Sequence, residues 1–436
     1  MRTRFETAPL RRHIDKTTNG STATQIEADE ATHRVTRIET ISAGTINLEK
    51  TGYVSGSESL QQFALENGDI LFSHINSMSV IGNSALVTSE VLPLYVGMNL
   101  LRIRPSSAVK SEFLSWCLKS DFIRHQVRQF AKPAINQASI STTNLKRVMA
   151  PLPDLSTQRE IADFLDRETA RIDLLIEKKQ KLVVLLGEKG AAYVEEIVTN
   201  GFTFQPSRNQ RIRDDGWKLA KLKNLSSRLK VGVVVNPSDY IDDDGEIPFI
   251  YGGNIREYTI DFSKCRRMSA ESSRKLMASR LRPGDVVVVR VGAPGVAAVV
   301  PEGVTEANCA SIMCITSKAC SGEWLAYAFN TRFVRHQVEV VQYGAAQKQF
   351  NLEHAREFTI PIPPRTQEAN LIRRLNAYRD RNLKVKTTTI ESIDRLKEYR
   401  SALITAAVTG QIDVTTYAKS GTTDRRLDAI QEEMGA

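Results

Sequence analysis

The hexapeptide Phe122-Ile123-Arg124-His125-Gln126-Val127 occurs a second time as Phe333-Val334-Arg335-His336-Gln337-Val338. Five of the six positions are identical, and one of them is a histidine, a residue type that occurs only six times in the chain. At about one chance in twenty per position, such agreement between two unrelated hexapeptides is very rare. The chain therefore contains an internal duplication, with a shift of 211 positions (122 to 333).

Further pairs recur at nearly the same shift. Gly68-Asp69-Ile70 returns as Gly284-Asp285-Val286, and Pro151-Leu152-Pro153 returns as Pro361-Ile362-Pro363. This period far exceeds the roughly 20–50 residues of solenoid repeats and is the size of a domain with an appendage. We expect two homologous modules related by a pseudo-two-fold axis. Since they have diverged outside the matching segments, they need not recognise the same ligand.

Composition limits the possible classes of protein. The 436 residues are 41% hydrophobic and 25% charged, which is ordinary for a soluble globular protein with two or more cores. A net charge of +9 mildly favours a polyanionic partner. No apolar signal core follows Met1, and Arg290, Gly292 and Pro294 interrupt the most apolar stretch, so a membrane helix is not expected. The five cysteines form no CxxC pair, which favours a reducing cytosol, and hence a cytoplasmic location, over zinc or disulfides.

Each copy divides into a mixed α/β part and a helical part. In the mixed part, the Gly-Asp turns at 68 and 284 precede predicted strands, and the alternation at 101–104 predicts an edge or half-exposed strand. One helix carrying Trp116 is predicted to continue through the duplicated hexapeptide, with Trp116 and its counterpart Tyr327 in the core. His125 and His336 are interpreted as buried or capping residues.

A long amphipathic helix follows each proline pair. Apolar residues recur at spacings of three, four and seven after Pro153 and again after Pro363, as in a coiled-coil seam. Forty-odd helical residues would span roughly 60–65 Å, and two such rods are expected to pair. Gly187 and Gly190 indicate either a bend or a close contact. The predicted boundaries are 1–150 and 202–360 for the mixed domains, 151–201 and 361–415 for the helices, and 416–436 for a flexible polar tail.

Sequence motifs of catalysis are missing. The chain has no GxxxxGK[ST] phosphate loop, no GxSxG nucleophile elbow and no HExxH zinc motif. Asn236-Pro237-Ser238-Asp239 lacks the second proline and the aromatic residue of an adenine methyltransferase site, and is interpreted as a turn. Asp242-Asp243-Asp244-Gly245 lacks the glutamate of an EF-hand and is interpreted as a solvated loop. The chain is therefore predicted not to be an enzyme and to hold no metal.

The repeated motifs resemble those of the specificity subunits of type I restriction–modification systems. The resemblance lies in a Pro-x-Pro entry, a Thr-Gln pair and a long helix, each present twice, and in a Val-Thr-Gly end, which the first copy carries as Val198-Thr199-Asn200-Gly201. The matching segments are Pro151-Leu152-Pro153, Thr157-Gln158, Ile161-Ala162, Leu165, Ile172-Asp173, Leu175-Ile176, Pro361-Ile362-Pro363, Thr366-Gln367, Tyr399-Arg400-Ser401-Ala402-Leu403-Ile404 and Ala407-Val408-Thr409-Gly410. Gly68-Asp69-Ile70-Leu71-Phe72 also resembles a strand of the family's target-recognition domain. Thr157 and Thr366 stand where the family commonly has glutamate.

This resemblance implies an α+β fold. Two target-recognition domains in pseudo-two-fold arrangement would be separated by two long antiparallel coiled-coil helices that act as a ruler. Each domain would read one half of an asymmetric, bipartite double-stranded DNA target, with the half-sites about one helical turn apart. The chain would dock two modification (methyltransferase) subunits and restriction (endonuclease and translocase) subunits. It would bind no cofactor itself, since its partners would hold S-adenosylmethionine, ATP and magnesium.

Polar loops supply the candidate base-reading residues, because asparagine, glutamine, arginine and lysine offer the donors and acceptors that base edges match. One loop per copy follows the Gly-Asp strand, and a second, favoured loop follows the duplicated hexapeptide. The turn at 251–254 adds one asparagine. The candidates are Ser73, His74, Asn76, Lys132, Asn136 and Gln137 in the first copy, and Asn254, Arg290, Gln347, Lys348 and Gln349 in the second. Arg124 and Arg335 would contact phosphates or pair with acidic residues inside the protein.

Three other functions stay open at this point. A stand-alone duplicated DNA-binding regulator should show a helix-turn-helix unit, which is not evident in the sequence. A coiled-coil adaptor that binds only proteins leaves two large, differing mixed domains without a purpose. A methyltransferase fragment should show a cofactor loop, which is missing.

Overall fold

The computed structural model describes residues 3–28, 33–56, 58–135, 137–203, 212–234, 236–342, 350–419 and 421–432. The chain divides into two compact units, each of which is described separately. Unit 1 comprises Met1–Leu182 and Thr387–Ala436, and unit 2 comprises Val183–Lys386. Both units contain helices and antiparallel strands, so the predicted α+β class is confirmed.

The first copy supplies most elements of unit 1. They are β1 (Thr7–Pro9), β2 (Ile14–Asn19), β3 (His33–Val35), β4 (Gly52–Val54), β5 (Ile70–Ser73), β6 (Ile75–Asn76), β7 (Ser84–Leu86), β8 (Leu100–Pro105), α1 (Ser111–Lys119), α2 (Asp121–Phe130), β9 (Lys132–Ala134), β10 (Gln137–Ser139), α3 (Thr142–Leu145), β11 (Met149–Pro151) and α4 (Leu155–Thr199).

The second copy follows a similar plan. Its elements are β12 (Lys218–Lys221), α5 (Leu222–Leu225), β13 (Ser226–Val231), β14 (Ile247–Ile250), β15 (Ile255–Arg256), β16 (Thr259–Ile260), β17 (Arg266–Met268), α6 (Ala270–Lys275), β18 (Arg280–Leu281), β19 (Val286–Val288), β20 (Ala297–Val299), β21 (Ala307–Cys309), β22 (Met313–Ser317), α7 (Gly322–Phe329), α8 (Arg332–Gln342), α9 (Leu352–Glu357), β23 (Thr359–Ile362), α10 (Arg365–Val408), α11 (Val414–Lys419) and α12 (Thr422–Glu432).

An antiparallel four-stranded sheet forms the centre of each mixed domain. Its strand order is β2-β8-β5-β7 in unit 1 and β13-β22-β19-β20 in unit 2. The prediction that residues 101–104 form an edge or half-exposed strand was wrong, because β8 has a partner on both sides and residues 101–103 are buried. Arg102 is nevertheless tolerated there, since its buried guanidinium donates to the Ala64 carbonyl and to Thr18 Oγ1. Hydrogen bonds of this kind offset the cost of removing a guanidinium from water.

The Gly-Asp motif contributes a buried carboxylate to each sheet. Asp69 accepts a bidentate pair of hydrogen bonds from Arg104 at 2.9 and 3.0 Å. In unit 2, Asp285 accepts instead from Arg228 at 2.6 Å and from Thr316 Oγ1 at 2.6 Å. The second copy therefore keeps the carboxylate and takes its arginine from a different strand, β13.

The duplicated hexapeptide lies in a separate helix and does not continue the preceding one. Ser120 separates α1 from α2, and its side chain caps α2 by accepting from the Ile123 amide. Thr331 occupies the same place before α8 and accepts from the Val334 amide. A hydroxyl residue at this position satisfies a helix N-terminal amide that would otherwise lack a partner. The predicted single helix was therefore wrong in both copies.

Gln126 and Gln337 explain why the hexapeptide is duplicated. Gln126 Nε2 donates to the Met149 carbonyl, and its Oε1 accepts from the Met149 amide at 2.9 Å. Gln337 makes the same pair of bonds with Thr359, at 2.9 and 2.8 Å. Each glutamine thus joins its helix to the strand that enters the Pro-x-Pro segment.

The duplicated histidines are not part of this framework. His125 and His336 are both exposed on their helices, so the prediction that they are buried or capping was wrong. The aromatic prediction is confirmed, since Trp116 and Tyr327 are both buried. Trp116 Nε1 donates to Asp166 on α4 at 2.8 Å, and Tyr327 Oη donates to Asn376 on α10 at 2.6 Å.

The long helices pair within each unit. In unit 1, the first part of α4 shares a core with the last part of α10, and Arg400 makes a bidentate ion pair with Asp173 at 2.8 and 3.0 Å. In unit 2, Tyr193 stacks on Tyr378 with ring centroids 4.0 Å apart. Along the same stretch Asn382 Nδ2 donates to the Leu186 carbonyl at 3.0 Å. As α4 advances from 186 to 193, α10 runs back from 382 to 378, so the two segments are antiparallel.

The two glycines of α4 allow a close contact between helices and do not end the helix. α4 is continuous through both residues. A Cβ added to Gly190 would lie 3.2 Å from Asn382 Nδ2, and one added to Gly187 would lie 3.4 Å from Lys386 Nζ. Of the two interpretations that the sequence allowed, the structure supports the close contact with α10.

The Thr-Gln pairs are one residue out of register between the copies. Gln158 Oε1 accepts from the amide of Lys110, which precedes α1, at 2.8 Å. The residue that accepts from the equivalent amide, that of Ser321 before α7, is Glu368 at 2.6 Å. Gln158 therefore corresponds to Glu368 and not to Gln367, in agreement with the shift of the Pro-x-Pro segments.

The predicted flexible tail from residue 416 is replaced by two helices, α11 and α12. Leu427 is only 1% exposed and belongs to the core of unit 1. Tyr417 packs edge-on against Phe164, with 5.9 Å between the ring centroids. The polar composition concealed a short apolar face that packs on α4. Over the described residues, none of the helices is both long and apolar enough to span a membrane.

Candidate nucleic-acid interface

The two candidate loops of the first copy lie side by side. β10 pairs with β6, opposing Ala138 to Asn76, and also with β9, opposing Ser139 to Lys132. The strand order β6-β10-β9 thus joins a segment after the Gly-Asp strand to a segment after the duplicated hexapeptide. We call this three-stranded sheet, residues 75–76 and 132–139, the reading sheet.

The segment after α2 is a hairpin and not an irregular loop. Lys132 and Gln137 are exposed, whereas Ala138 and Ile140 are each 1% exposed and belong to the core of unit 1. One side of the hairpin is therefore fixed by the core while the polar side chains remain accessible. Asn136 lies outside the described residues.

Asn76 is held by its neighbours. Its Nδ2 donates to Ser73 Oγ at 3.2 Å, and its Oδ1 accepts from the Ser77 amide at 2.8 Å. Ser73 is fully buried, so its hydroxyl orients Asn76 and presents no accessible atom of its own. The Asn76 side chain is half-buried, and its second amide hydrogen is not used by either of these bonds.

His74 lies half-buried at the start of the reading sheet. Burial lowers the pKa of its imidazole, and a hydrogen bond to the backbone of Asn99 opposes that shift. Among the described residues, its buried Nδ1 has no hydrogen-bond partner. A neutral imidazole is therefore favoured at this position.

Several cations surround the reading sheet. Arg128, one turn beyond Arg124 on α2, is exposed and donates to the Ser79 carbonyl at 3.5 Å. Arg147 is exposed, and its guanidinium lies 5.6 Å from the ring centre of Phe130, two residues before Lys132. Arg124 itself is half-buried and donates to Asn83 Oδ1 at 3.4 Å, and burial lowers its pKa. Sequence reasoning missed Arg128 and Arg147, although the i+4 spacing from Arg124 placed Arg128 on the same helix face.

The second-copy candidates do not form an equivalent surface among the described residues. Asn254 is buried: its Oδ1 accepts from the Tyr251 amide, and its Nδ2 donates to the Lys264 carbonyl at 3.0 Å. It is therefore a turn residue, and we remove it from the candidate surface. Arg290 is half-buried and donates through Nε to the Phe350 carbonyl at 3.0 Å. Gln347, Lys348 and Gln349 lie outside the described residues.

Arg335, the counterpart of Arg124, pairs inside unit 2. It donates to Glu257 Oε1 at 2.7 Å and to Asn330 Oδ1 at 3.1 Å. Of the two roles that the sequence left open for this arginine, the structure shows the internal pairing. The described part of the chain contains no group of three or more His, Cys, Asp or Glu side chains that could hold a metal ion.

Comparison with known proteins gives consistent results. Residues 19–183, which include the whole reading sheet, match the family model of the type I restriction modification DNA specificity domain. A putative type I restriction enzyme MjaX specificity subunit from Methanocaldococcus jannaschii is 28% identical over 437 residues, covering 94% of each chain. The EcoBI specificity subunit of Escherichia coli is 22% identical, covering 63% of this chain and 60% of that one.

The fold is also similar to solved structures. A chain from a structure on complex assembly and conformational transition of the type I R-M system has a TM-score of 0.73 at 16% identity, covering 94% of this chain and 98% of that one. The HsdS subunit from Thermoanaerobacter tengcongensis has a TM-score of 0.51 at 18% identity, covering 94% and 97%. Residues 19–183 therefore match the model of the DNA specificity domain of type I restriction–modification systems, and the chain resembles specificity subunits of such systems over nearly its whole length.

Proposed function

We propose that this chain selects an asymmetric, two-part DNA target for a type I restriction–modification complex. The observation that carries the proposal is the reading sheet. Two segments about 60 residues apart, each predicted separately to contact bases, lie on adjacent strands within the residues that match the DNA specificity domain.

The side chains of the reading sheet fit the edges of base pairs. Gln137 and Asn76 carry amides, which pair with the N6 and N7 atoms of adenine in the major groove. Lys132 carries a cation suited to guanine O6 and N7 or to a phosphate. Arg128 and Arg147 lie beside the sheet and would contact phosphates, which fixes the register of the protein without reading sequence.

The two copies are proposed to read different half-sites. Their framework residues correspond, but Gly292 stands where the first copy has Asn76, at the shift of 216 that relates the two Gly-Asp motifs. Asn254 is occupied by internal hydrogen bonds, and Arg290 is held by the Phe350 backbone. Different reading residues on a shared framework require an asymmetric target. A spacing of about one DNA turn between half-sites stays a prediction.

We further propose that the paired helices dock two methyltransferase subunits, and that restriction subunits join the same assembly. In unit 2, large apolar side chains on adjacent helices are exposed: Val184 (60%) and Leu185 (51%) on α4, and Leu383 (60%) on α10. Apolar side chains exposed next to each other are typical of protein-binding surfaces. S-adenosylmethionine, ATP and magnesium would be held by the partners, as the family resemblance implies.

The first test maps N6-methyladenine across the source genome with this gene intact and deleted. Loss of one asymmetric two-part motif on deletion is the expected result, and it identifies both half-sites. If every motif persists after deletion in a strain that expresses the chain, the recognition function is refuted.

The second test assigns one half-site to the reading sheet. The replacement Gln137→Ala should lower the discrimination between bases in one half of the methylated motif by roughly 5- to 150-fold. The bases required in the other half should stay the same. Gln62→Ala is the matched control, because Gln62 is also exposed in unit 1 but lies outside the reading sheet. Equal effects of both replacements, or an effect on both half-sites, would contradict the assignment.

A further inference from the structure

The hairpin of the reading sheet ends in an apolar side chain that the proposed base contacts leave unexplained. Ile135, between β9 and β10, is 94% exposed. It is the most exposed large hydrophobic residue in the described part of the chain; the next is Ile212 at 75%. Such exposure in water is unfavourable for an isoleucine, and a single exposed apolar residue on a flat surface would need no explanation.

Ile135 differs from such a residue because the hairpin that carries it is fixed. β10 is hydrogen-bonded on both sides, to β6 and to β9. Ala138 and Ile140, three and five residues further on, are each 1% exposed and part of the unit 1 core. The strands on either side of Ile135 are therefore held by pairing, and β10 is also held by the core.

The composition of the hairpin argues against strand addition by a protein partner. β9 is the edge strand, and Pro133 in it has no backbone N–H to offer to an added strand. All three residues of β9 are exposed, so its edge is accessible, but the missing N–H group makes it a poor template for an added strand. A partner would have to meet the tip of the hairpin and not its edge.

Charge identifies the kind of partner. Lys132 on the hairpin is exposed, as are Arg128, which contacts the 77–82 turn, and Arg147, which lies over Phe130 at the start of the hairpin. The hairpin thus combines an apolar tip with cations at and near its base and with the candidate base-reading amides. This combination fits double-stranded DNA, whose phosphates would contact the cations. Proteins that insert isoleucine, leucine or methionine between base steps unstack the bases and kink the duplex.

We infer that Ile135 is a wedge that inserts between adjacent base pairs of the half-site read by unit 1. This inference rests on the proposed function and adds a deformation of the target to its direct readout. Insertion would favour flexible pyrimidine–purine steps at one position of the half-site, so specificity would arise there without a hydrogen bond to a base.

The experiment uses the full chain assembled with its methyltransferase subunit and duplexes carrying 2-aminopurine at successive positions of the mapped half-site. Apart from the adenine that the methyltransferase subunit extrudes, the wild-type complex should raise the fluorescence at one further base step, where Ile135 unstacks the bases. Ile135→Ala should abolish that rise and weaken specific binding by at least about fivefold, whereas Ile135→Met should retain both. Ile212→Ala is the matched control, an exposed isoleucine in unit 2, and should behave as wild type.

The outcomes separate this inference from the proposed function. If wild type binds its mapped target and Ile135→Ala gives the same fluorescence and affinity, the wedge is refuted while target recognition stands. If Ile135→Ala instead reduces assembly with the methyltransferase subunit, measured without DNA, the tip is a protein contact and the wedge is likewise refuted. If the wild-type complex shows no preference for any target, the proposed function itself fails.

Discussion

Replacing Gln337 with methionine tests whether the duplicated hexapeptide is a structural joint. The replacement keeps the length of the side chain but removes the amide that joins α8 to β23. Gln337 makes two bonds to Thr359 and one to the Phe333 carbonyl, all partly buried. At about 1 kcal/mol net for each bond, and more where a buried group is left without a partner, the expected loss is about 2–3 kcal/mol.

The equivalent replacement Gln126→Met should cost less, about 1–2 kcal/mol. The bonds between Gln126 and Met149 are exposed, and Met149 is itself 36% exposed. Water can therefore replace the lost partner in the first copy but not fully in the second. The structure thus predicts an order, with Gln337→Met more damaging than Gln126→Met.

Native-state hydrogen exchange measures this effect at the affected amides. The Thr359 amide should exchange about 30-fold faster or more in Gln337→Met, since 1.4 kcal/mol corresponds to a factor of about ten. Because the chain has two units, a single global unfolding transition would be harder to interpret. His336→Ala, at an exposed residue of the same copy of the hexapeptide, is the control and should change stability by no more than about 0.5 kcal/mol. Equal exchange in Gln337→Met and this control would refute the reasoning.

Three other predictions concern stability. Gly187→Ala should raise the free energy of unfolding by about 0.5–1 kcal/mol, because the added methyl group meets only the flexible end of Lys386 at 3.4 Å. A lower melting temperature of the variant would contradict this. Burial holds the pKa of the His74 imidazole below its ordinary value of 6.5. The contribution of the neutral side chain to the free energy of unfolding should therefore be fully present above about pH 6.5 and fall as the pH drops below that value. Urea titrations of His74→Gln should show a weaker fall. Leu427→Ala should destabilise unit 1 by about 2–4 kcal/mol in urea unfolding, whereas a flexible tail would give no change.

Much of the framework could be predicted from the sequence, because its signals are local and occur twice. The Pro-x-Pro segments and the apolar spacing after them are sufficient to predict the two long helices. The break between α1 and α2 was missed because a serine by itself does not predict a helix N-cap. Ser120 is recognised as a cap only once the chain is seen to turn away from the preceding helix. Helices α11 and α12 were missed because their few apolar residues are buried by packing against α4, which a local pattern does not reveal.

The reading sheet could be predicted only in part. Asn76 and Gln137 were each identified from polar composition, but their proximity depends on the pairing of β6 with β10 across about 60 residues. The exposure of Ile135 could not be predicted from the sequence, because an isoleucine next to an asparagine is equally compatible with a buried position in a core. Asn254 was assigned to the surface because an asparagine in a turn looks accessible, whereas its side-chain amide bonds the Tyr251 amide and the Lys264 carbonyl.

The duplication separates framework from specificity within one sequence. Gln126 and Gln337, which agree between the copies, make equivalent bonds within their own units and have little freedom to change. The half-exposed Asn76 and the exposed Gln137 and Ile135 lie on the reading sheet, where a substitution alters a ligand contact without breaking a joint. A module duplicated for recognition can therefore diverge at its reading surface while its hexapeptide stays the same. Under the proposed function, base-reading positions are expected to differ between the copies, as Asn76 and Gly292 do, whereas Gln126 and Gln337 stay the same because they join helix to strand.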